Sequence, residues 1–158
     1  MKNKYGVILL IIIMLFTGCS NNSMISIYND KDKIASSTNS YNLINTTQTI
    51  KENNFTGRVE KIEGMDTIWT YEADEDMSLD ITYLLNVTKG KVKLVLISPD
   101  NSLTDIIERS SKASLIDFAT STMRIKKGLN RIKMVAGKDC SVEFDITISC
   151  GKFKELGM

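Results

Sequence analysis

The sequence predicts an all-β chain: a single antiparallel β-sandwich or jelly roll of about eight strands, preceded by a signal helix and a disordered tether. Three observations predict it. Leu79, Ile81, Tyr83, Leu85 and Val87 alternate with polar positions, as do Val142, Phe144, Ile146 and Ile148, which is the period of a strand with one buried face. Turn signals recur between such runs at Lys89-Gly90, Pro99-Asp100-Asn101, Lys127-Gly128 and Gly137-Lys138-Asp139, with about the 8–12-residue spacing of sandwiches. Val92–Ile97 is rich in consecutive apolar residues, the mark of a central strand buried on both faces.

The first element is a leader. Lys2 and Lys4 precede an uninterrupted apolar run, Val7–Phe16, which ends in Thr17-Gly18-Cys19. As a helix, Tyr5–Phe16 would rise only about 18 Å against about 30 Å of hydrocarbon, too short to span a membrane. It reads as a signal segment with small residues before its cleavage point. Gly18-Cys19 resembles the lipobox of bacterial lipoproteins, with Phe16 where that pattern usually has Leu. The resemblance implies that residues 1–18 are removed and that Cys19 receives a diacylglyceryl group. The mature chain would then sit on the extracytoplasmic face of the cell membrane, held in membrane lipid through Cys19. Each buried methylene contributes about 0.8 kcal/mol, so two acyl chains hold stably where one does not. A plain secretory signal, with Cys19 an ordinary residue, is the alternative.

Residues 19–54 follow as a Ser-, Asn- and Thr-rich stretch with scattered Ile and Tyr. Such a composition buries too little apolar surface to offset its ordering entropy. It reads as a flexible tether with a reach of about 30–35 Å. The alternative is a short helix or strand near Ile25–Tyr28 or Tyr41–Ile44 docking on the domain.

The domain proper is expected over residues 55–151. Phe55–Glu63 and Thr67–Glu72 are its first runs, separated by Gly64, and Leu79–Val87 is the next. Val92–Ile97 follows the Lys89-Gly90 turn. Leu103–Glu108 and Ser114–Thr120 are weaker, and Ile106-Ile107 fits a strand or a short helix. Met123–Lys126, Leu129–Val135 and Val142–Ile148 complete the set, and residues 152–158 form a polar tail. The two Lys-Gly turns agree only in the turn and in the phase of the following strand, which hairpin chemistry gives without duplication. Lys89-Gly90 into an aliphatic strand, Ser98-Pro99-Asp100-Asn101, and Lys127-Gly128 into the penultimate strand resemble pre-peptidase C-terminal-like modules. That resemblance implies a binding or accessory role.

Charge and residue usage exclude several functions. The chain has 20 Lys and Arg against 19 Asp and Glu. Without Lys2 and Lys4 it has no basic excess of the kind that nucleic acid requires. It contains no histidine, which removes histidine triads and imidazole-ligated zinc. With no phosphate loop or nucleophile elbow either, the chain is not expected to be an enzyme. Cys140 and Cys150 bracket the alternating Ser141–Ser149 segment. As ends of one strand they stand about 33 Å apart, against about 7 Å for a disulfide.

The candidate sites are few. Asp74, Glu75 and Asp76, with Glu72, Asp66 and Asp80 near them, offer the oxygen ligands that Ca²⁺ takes; no other cofactor is implied. The bland alternative is a solvated turn. Trp69 and Tyr71 share a face if their segment is a strand, with Met65 and Thr67 continuing that face and Ile68 on the other. They form either a sugar-stacking platform or part of the core. Tyr83 falls in phase with Ile81 and Leu85 and is expected in the core. Arg124, Lys126, Lys127, Arg131 and Lys133 suggest a solvated outer face, or one that meets an anionic surface such as teichoic acid or lipid headgroups. The expected partners are membrane lipid and an envelope polysaccharide or protein. The functional expectation is a membrane-anchored, non-catalytic binding or accessory module, or alternatively an envelope protein that acts by occupying a partner.

Overall fold

The alternating runs become eight antiparallel strands among the residues described by the computed structural model, which are 23–112 and 117–158. The leader, Cys19 and the first part of the Ser114–Thr120 run lie outside them. Two short helices come first, α1 (Ser23–Ile27) and α2 (Lys31–Ala35). The strands are β1 (Ser40–Lys51), β2 (Asn54–Ala73), β3 (Met77–Lys89), β4 (Lys91–Ile97), β5 (Leu103–Ser110), β6 (Ala119–Ile125), β7 (Gly128–Ile148) and β8 (Lys152–Phe153). Among the described residues no helix is long and apolar enough to cross a membrane.

Two long strands organise the fold. β2 has 20 residues and β7 has 21, and they pair antiparallel from Asn54↔Thr147 to Ala73↔Gly128. The sequence suggests two strands in each of these stretches, because Gly64 and Gly137-Lys138-Asp139 read as turns. In the structure they are bends inside continuous strands. Gly64 has φ +94° and Asp139 φ +48°, and the β2–β7 register slips between Val59 and Gly64. Extra residues of this kind curl a strand without ending it. At Gly64 the backbone of Ser40 lies so close that any Cβ would collide with it.

The bend folds one hydrogen-bonded sheet over on itself. In one layer, β7 from Ser141 onward lies between β2 and β3, with β6 beyond β3 and the second half of β1 beyond β2. In the other, the first half of β7 lies between β2 and β4, with β5 beyond β4. Phe55, Ile81, Leu85, Phe144 and Ile146 from the first layer share one buried cluster with Trp69, Leu94, Leu96, Ile132 and Met134 from the second. The fold is therefore the expected all-β sandwich, with the bend joining its layers.

The prediction of a flexible tether fails for residues 23–51. β1 pairs with β2 from Ser40↔Met65 to Lys51↔Asn54, and its Leu43 and Ile50 pack on the core. Docking at Ile25–Tyr28 and Tyr41–Ile44, the alternative reading, is what the structure contains. Composition misleads here because an edge strand needs apolar residues on one face only, and the partner strand supplies the rest. The polar tail is also built in. β8 pairs with β2, Leu156 is buried, and the Gln48 side chain both donates to and accepts from the Leu156 backbone at 3.1 and 2.8 Å.

Central β4 matches its expectation. Val92, Leu94 and Leu96 face the main core, while Val95 and Ile97 belong to a second cluster with Met65, Val135, Ile27, Tyr28 and Ile34. The 98–102 turn forms as expected, closed by Asn101 N–H to Ser98 O at 2.9 Å. Leu103–Glu108 is strand rather than helix. Cys140 and Cys150 are free thiols on either side of the Ser141–Ile148 stretch of β7, and burial raises the Cys140 thiol to about 12.

Candidate functional site

The two layers have outer faces of opposite character. On the first layer the strand register aligns two rungs of outward side chains. Thr49, Thr56, Asp145 and Leu84 form one, and Thr47, Arg58, Glu143 and Asn86 form the other. Cross-strand partners point to the same face, so eight residues from four strands share one surface. Gln48, Gly57, Phe118 and most of these residues line a groove of about 410 Å³, within the size range of small-ligand sites.

Hydroxyls, a guanidinium and two carboxylates supply both donors and acceptors along this groove. Asn54 Nδ2 donates to Asp145 Oδ1 at 2.6 Å and to Thr147 Oγ1 at 3.0 Å, which holds the carboxylate in place. Phe118 is 59% exposed, a large apolar side chain left in water beside polar groups. Beneath the groove, Gly57 gives way to the Phe144 ring, which a Cβ at residue 57 would strike.

On the second layer the outer face is covered. The alternation Arg131-Ile132-Lys133-Met134 suggests that Arg131 and Lys133 meet solvent, yet Lys133 is fully buried. Its ammonium donates to the carbonyls of Ser36 at 2.8 Å and Thr38 at 2.6 Å. Arg131 donates to the carbonyls of Ala35 at 2.9 Å and Ser36 at 3.2 Å. Both cations thus satisfy carbonyls at and just beyond the end of α2, where the helix leaves acceptors unpaired. Burial lowers Lys133 to about 8, with the Arg131 charge adding to the effect and Asp66 opposing it. Tyr28 lies against the same face, with Lys91 Nζ 3.8 Å and Lys93 Nζ 5.2 Å from its ring centre.

The other basic residues are elsewhere. Lys126 pairs with Asp100 at 2.6 Å, and that bond, with those from Ser102, holds the Asp100 carboxyl well below its usual range. The expected basic surface is therefore divided between an exposed turn and a buried latch.

The predicted sites fare differently. Trp69 is fully buried, and its indole N–H donates to Cys150 O at 2.9 Å. It is core and offers no platform. Gly151, with φ +89°, lies against the indole, where a Cβ would collide with the ring. The β2 register slips between Thr67 and Trp69, so Ile68 and Trp69 both join the main core while Met65 faces the second cluster. A bulge defeats alternation in this way because it adds a residue without adding a partner. Tyr71 alone is half-buried, its ring 5.9 Å from that of Trp69, and it borders a separate hollow with Leu129 and Lys152. Tyr83 is buried as expected, its hydroxyl 3.0 Å from Ser121 Oγ.

Asp74, Glu75 and Asp76 are exposed on the β2–β3 turn, where the Asp76 carboxylate accepts the Lys127 N–H at 2.7 Å. Among the described residues no three acidic, cysteine or histidine side chains gather where they could hold a metal ion. The groove residues escaped the sequence reading. Arg58, Asn86, Glu143 and Asp145 are legible as outward strand positions, whereas Thr47 and Thr49 fall in the stretch read as a tether. Arg58 and Glu143 become neighbours only through pairing across more than eighty residues of chain.

No protein-family description and no curated protein matches the chain. Among solved structures it is similar to a CBM4 protein at 7% identity, covering 75% of this chain and 81% of that one, with a TM-score of 0.39. It is similar to a variant of a family 29 carbohydrate-binding module complexed with mannohexaose at 11% identity, covering 71% and 80%, TM-score 0.38. An exo-beta-1,3-galactanase from Phanerochaete chrysosporium with galactose aligns at 10% identity over 69% of this chain and 27% of that one, TM-score 0.38. Likenesses of this size carry no argument about ligand.

Proposed function

We propose that this protein is a membrane-anchored, non-catalytic module that binds an envelope polysaccharide through the groove across β1, β2, β7 and β3. The observation that carries this reading is the pair of rungs, Thr49-Thr56-Asp145-Leu84 and Thr47-Arg58-Glu143-Asn86, with exposed Phe118 at their side. A sugar chain presents hydroxyls that both donate and accept, and apolar ring faces that stack on aromatics. The paired strands hold the polar contacts in fixed register, and Phe118, just before β6, adds the apolar one. Glu143 and Asp145 project from one strand on an open face, with no enclosure to keep water from a reacting bond, which supports binding rather than hydrolysis. Anchoring rests on the leader and Cys19.

Affinity electrophoresis through gels containing a neutral glucan, a galactomannan or a purified wall polymer tests the groove. Retardation by at least one polymer is expected, together with its loss in Phe118→Ala and Arg58→Ala at unchanged melting temperature. No retardation by any polymer, or retardation indifferent to both changes, overturns the groove reading. For the anchor, Cys19→Ser is expected to move the protein from the membrane fraction to the soluble fraction.

A further inference from the structure

We infer that the α1–α2 cap is the side of the domain that faces the lipid bilayer, and that the groove opens on the opposite side, away from it. The inference rests on Cys19 carrying lipid, as proposed above, and adds an orientation to that reading. Only Ser20, Asn21 and Asn22 separate Cys19 from Ser23, the first residue of α1. At a maximum of about 3.6 Å per residue, Ser23 stands no more than about 14 Å from the anchored cysteine. A flexible chain through residue 54 would have allowed more than twice that distance in any direction.

The segment after Ser23 is fastened to one face. Ile27 and Tyr28 are 3% exposed and Ile34 is 1% exposed, packed with Met65, Val95, Ile97 and Val135 on the outside of the second layer. Arg131 and Lys133 hold the carbonyls of Ala35, Ser36 and Thr38. The Asp30 carboxylate caps α2 by accepting the Lys33 N–H at 3.1 Å. The groove residues lie on the outside of the first layer, and the shared core lies between the two layers. A short leash attached to one outer face of a sandwich leaves the other outer face pointing outward.

The cap's own surface fits this position. Ile25 is 40% exposed, an apolar side chain free to enter the headgroup boundary. Lys31 and Lys33 are offset by Asp30 and Asp32, so leash length and not charge sets the approach.

The test uses the lipoprotein extracted from its membrane, in a Cys150→Ser background, with Lys33→Cys on the cap or Thr49→Cys in the groove labelled with a fluorophore. After reconstitution into vesicles containing brominated phosphatidylcholine, lipid quenching is expected to be several-fold stronger at position 33 than at position 49. Equal quenching, or stronger quenching at 49, overturns the orientation. Mass spectrometry of the same preparation separates the two failures: an unmodified Cys19 sinks the anchor and the orientation together. A lipid-bearing Cys19 with equal quenching sinks the orientation alone. Asymmetric quenching in a protein that retains no polysaccharide upholds the orientation and removes only the glycan reading.

Discussion

Two stretches of β7 carry the same pattern and meet opposite fates. Glu143-Phe144-Asp145-Ile146 and Arg131-Ile132-Lys133-Met134 each alternate charged and apolar residues, and in each the apolar pair enters the core. The charged pair of the first stretch borders an open groove. That of the second lies beneath α1 and α2, with Lys133 wholly out of water and bonded to two backbone carbonyls. Alternation reports which way a side chain points from its sheet. It does not report what lies beyond the sheet.

The comparison breaks first at the layer both faces share. Trp69→Ala is expected to cost about 3–5 kcal/mol, since it empties the middle of the core. Urea denaturation followed by tyrosine fluorescence or circular dichroism reads it, and a loss below about 1 kcal/mol would return Trp69 to the surface. Next comes the cap. Ile34→Ala is expected to cost about 2–4 kcal/mol in the same assay, as a buried core residue does. A negligible loss would mean that α2 is an ornament on a face able to stand in water.

Lys133 sharpens the contrast through pH. Its folded value of about 8 lies below the ordinary 10.5 because the charged form is buried. Between those values the unfolded chain binds more protons than the folded one, so Lys133 makes stability rise with pH across that window. Below pH 8 both states are protonated and the cost of the buried charge is felt in full. Lys133→Met lacks this dependence. The stability of the parent protein relative to that variant should climb by about 3 kcal/mol from pH 7.5 to 10.5. A flat difference would show that water reaches the ammonium. The smallest effects belong to the groove, where Phe118→Ala and Thr56→Ala should each change stability by less than about 0.5 kcal/mol. A larger loss there would make the groove a structural surface.

Much of the sandwich was legible. The Lys89-Gly90 and Lys127-Gly128 turns have glycines at φ +75° and +107° where the chain reverses, and Val92–Ile97 is buried on both sides as its composition implies. The candidate site was not. Trp69 and Tyr71 were singled out by residue type, but a bulge turned Trp69 inward and left Tyr71 without it on the surface. The groove combines ordinary threonines and charges whose only distinction is adjacency. Adjacency across strands is set by register, which local pattern does not encode.

The sequence alone determined the all-β class, the phase of most strands and the positions of the hairpin turns, because these follow from local dihedral preference and from the period of a pleated chain. The expectation of a signal segment ending at Cys19 is likewise read in linear order, and it lies outside the described residues. Tertiary structure decided the rest. It joined four expected strands into two bent ones at Gly64 and Asp139. It also drew residues 23–51 out of their expected tether and onto the sheet, and covered one outer face while leaving the other open. Those outcomes depend on contacts between distant segments: a polar stretch such as Ser40–Lys51 becomes ordered only when β2 supplies its hydrogen bonds, and a lysine is buried only when carbonyls far away in the chain arrive to receive it.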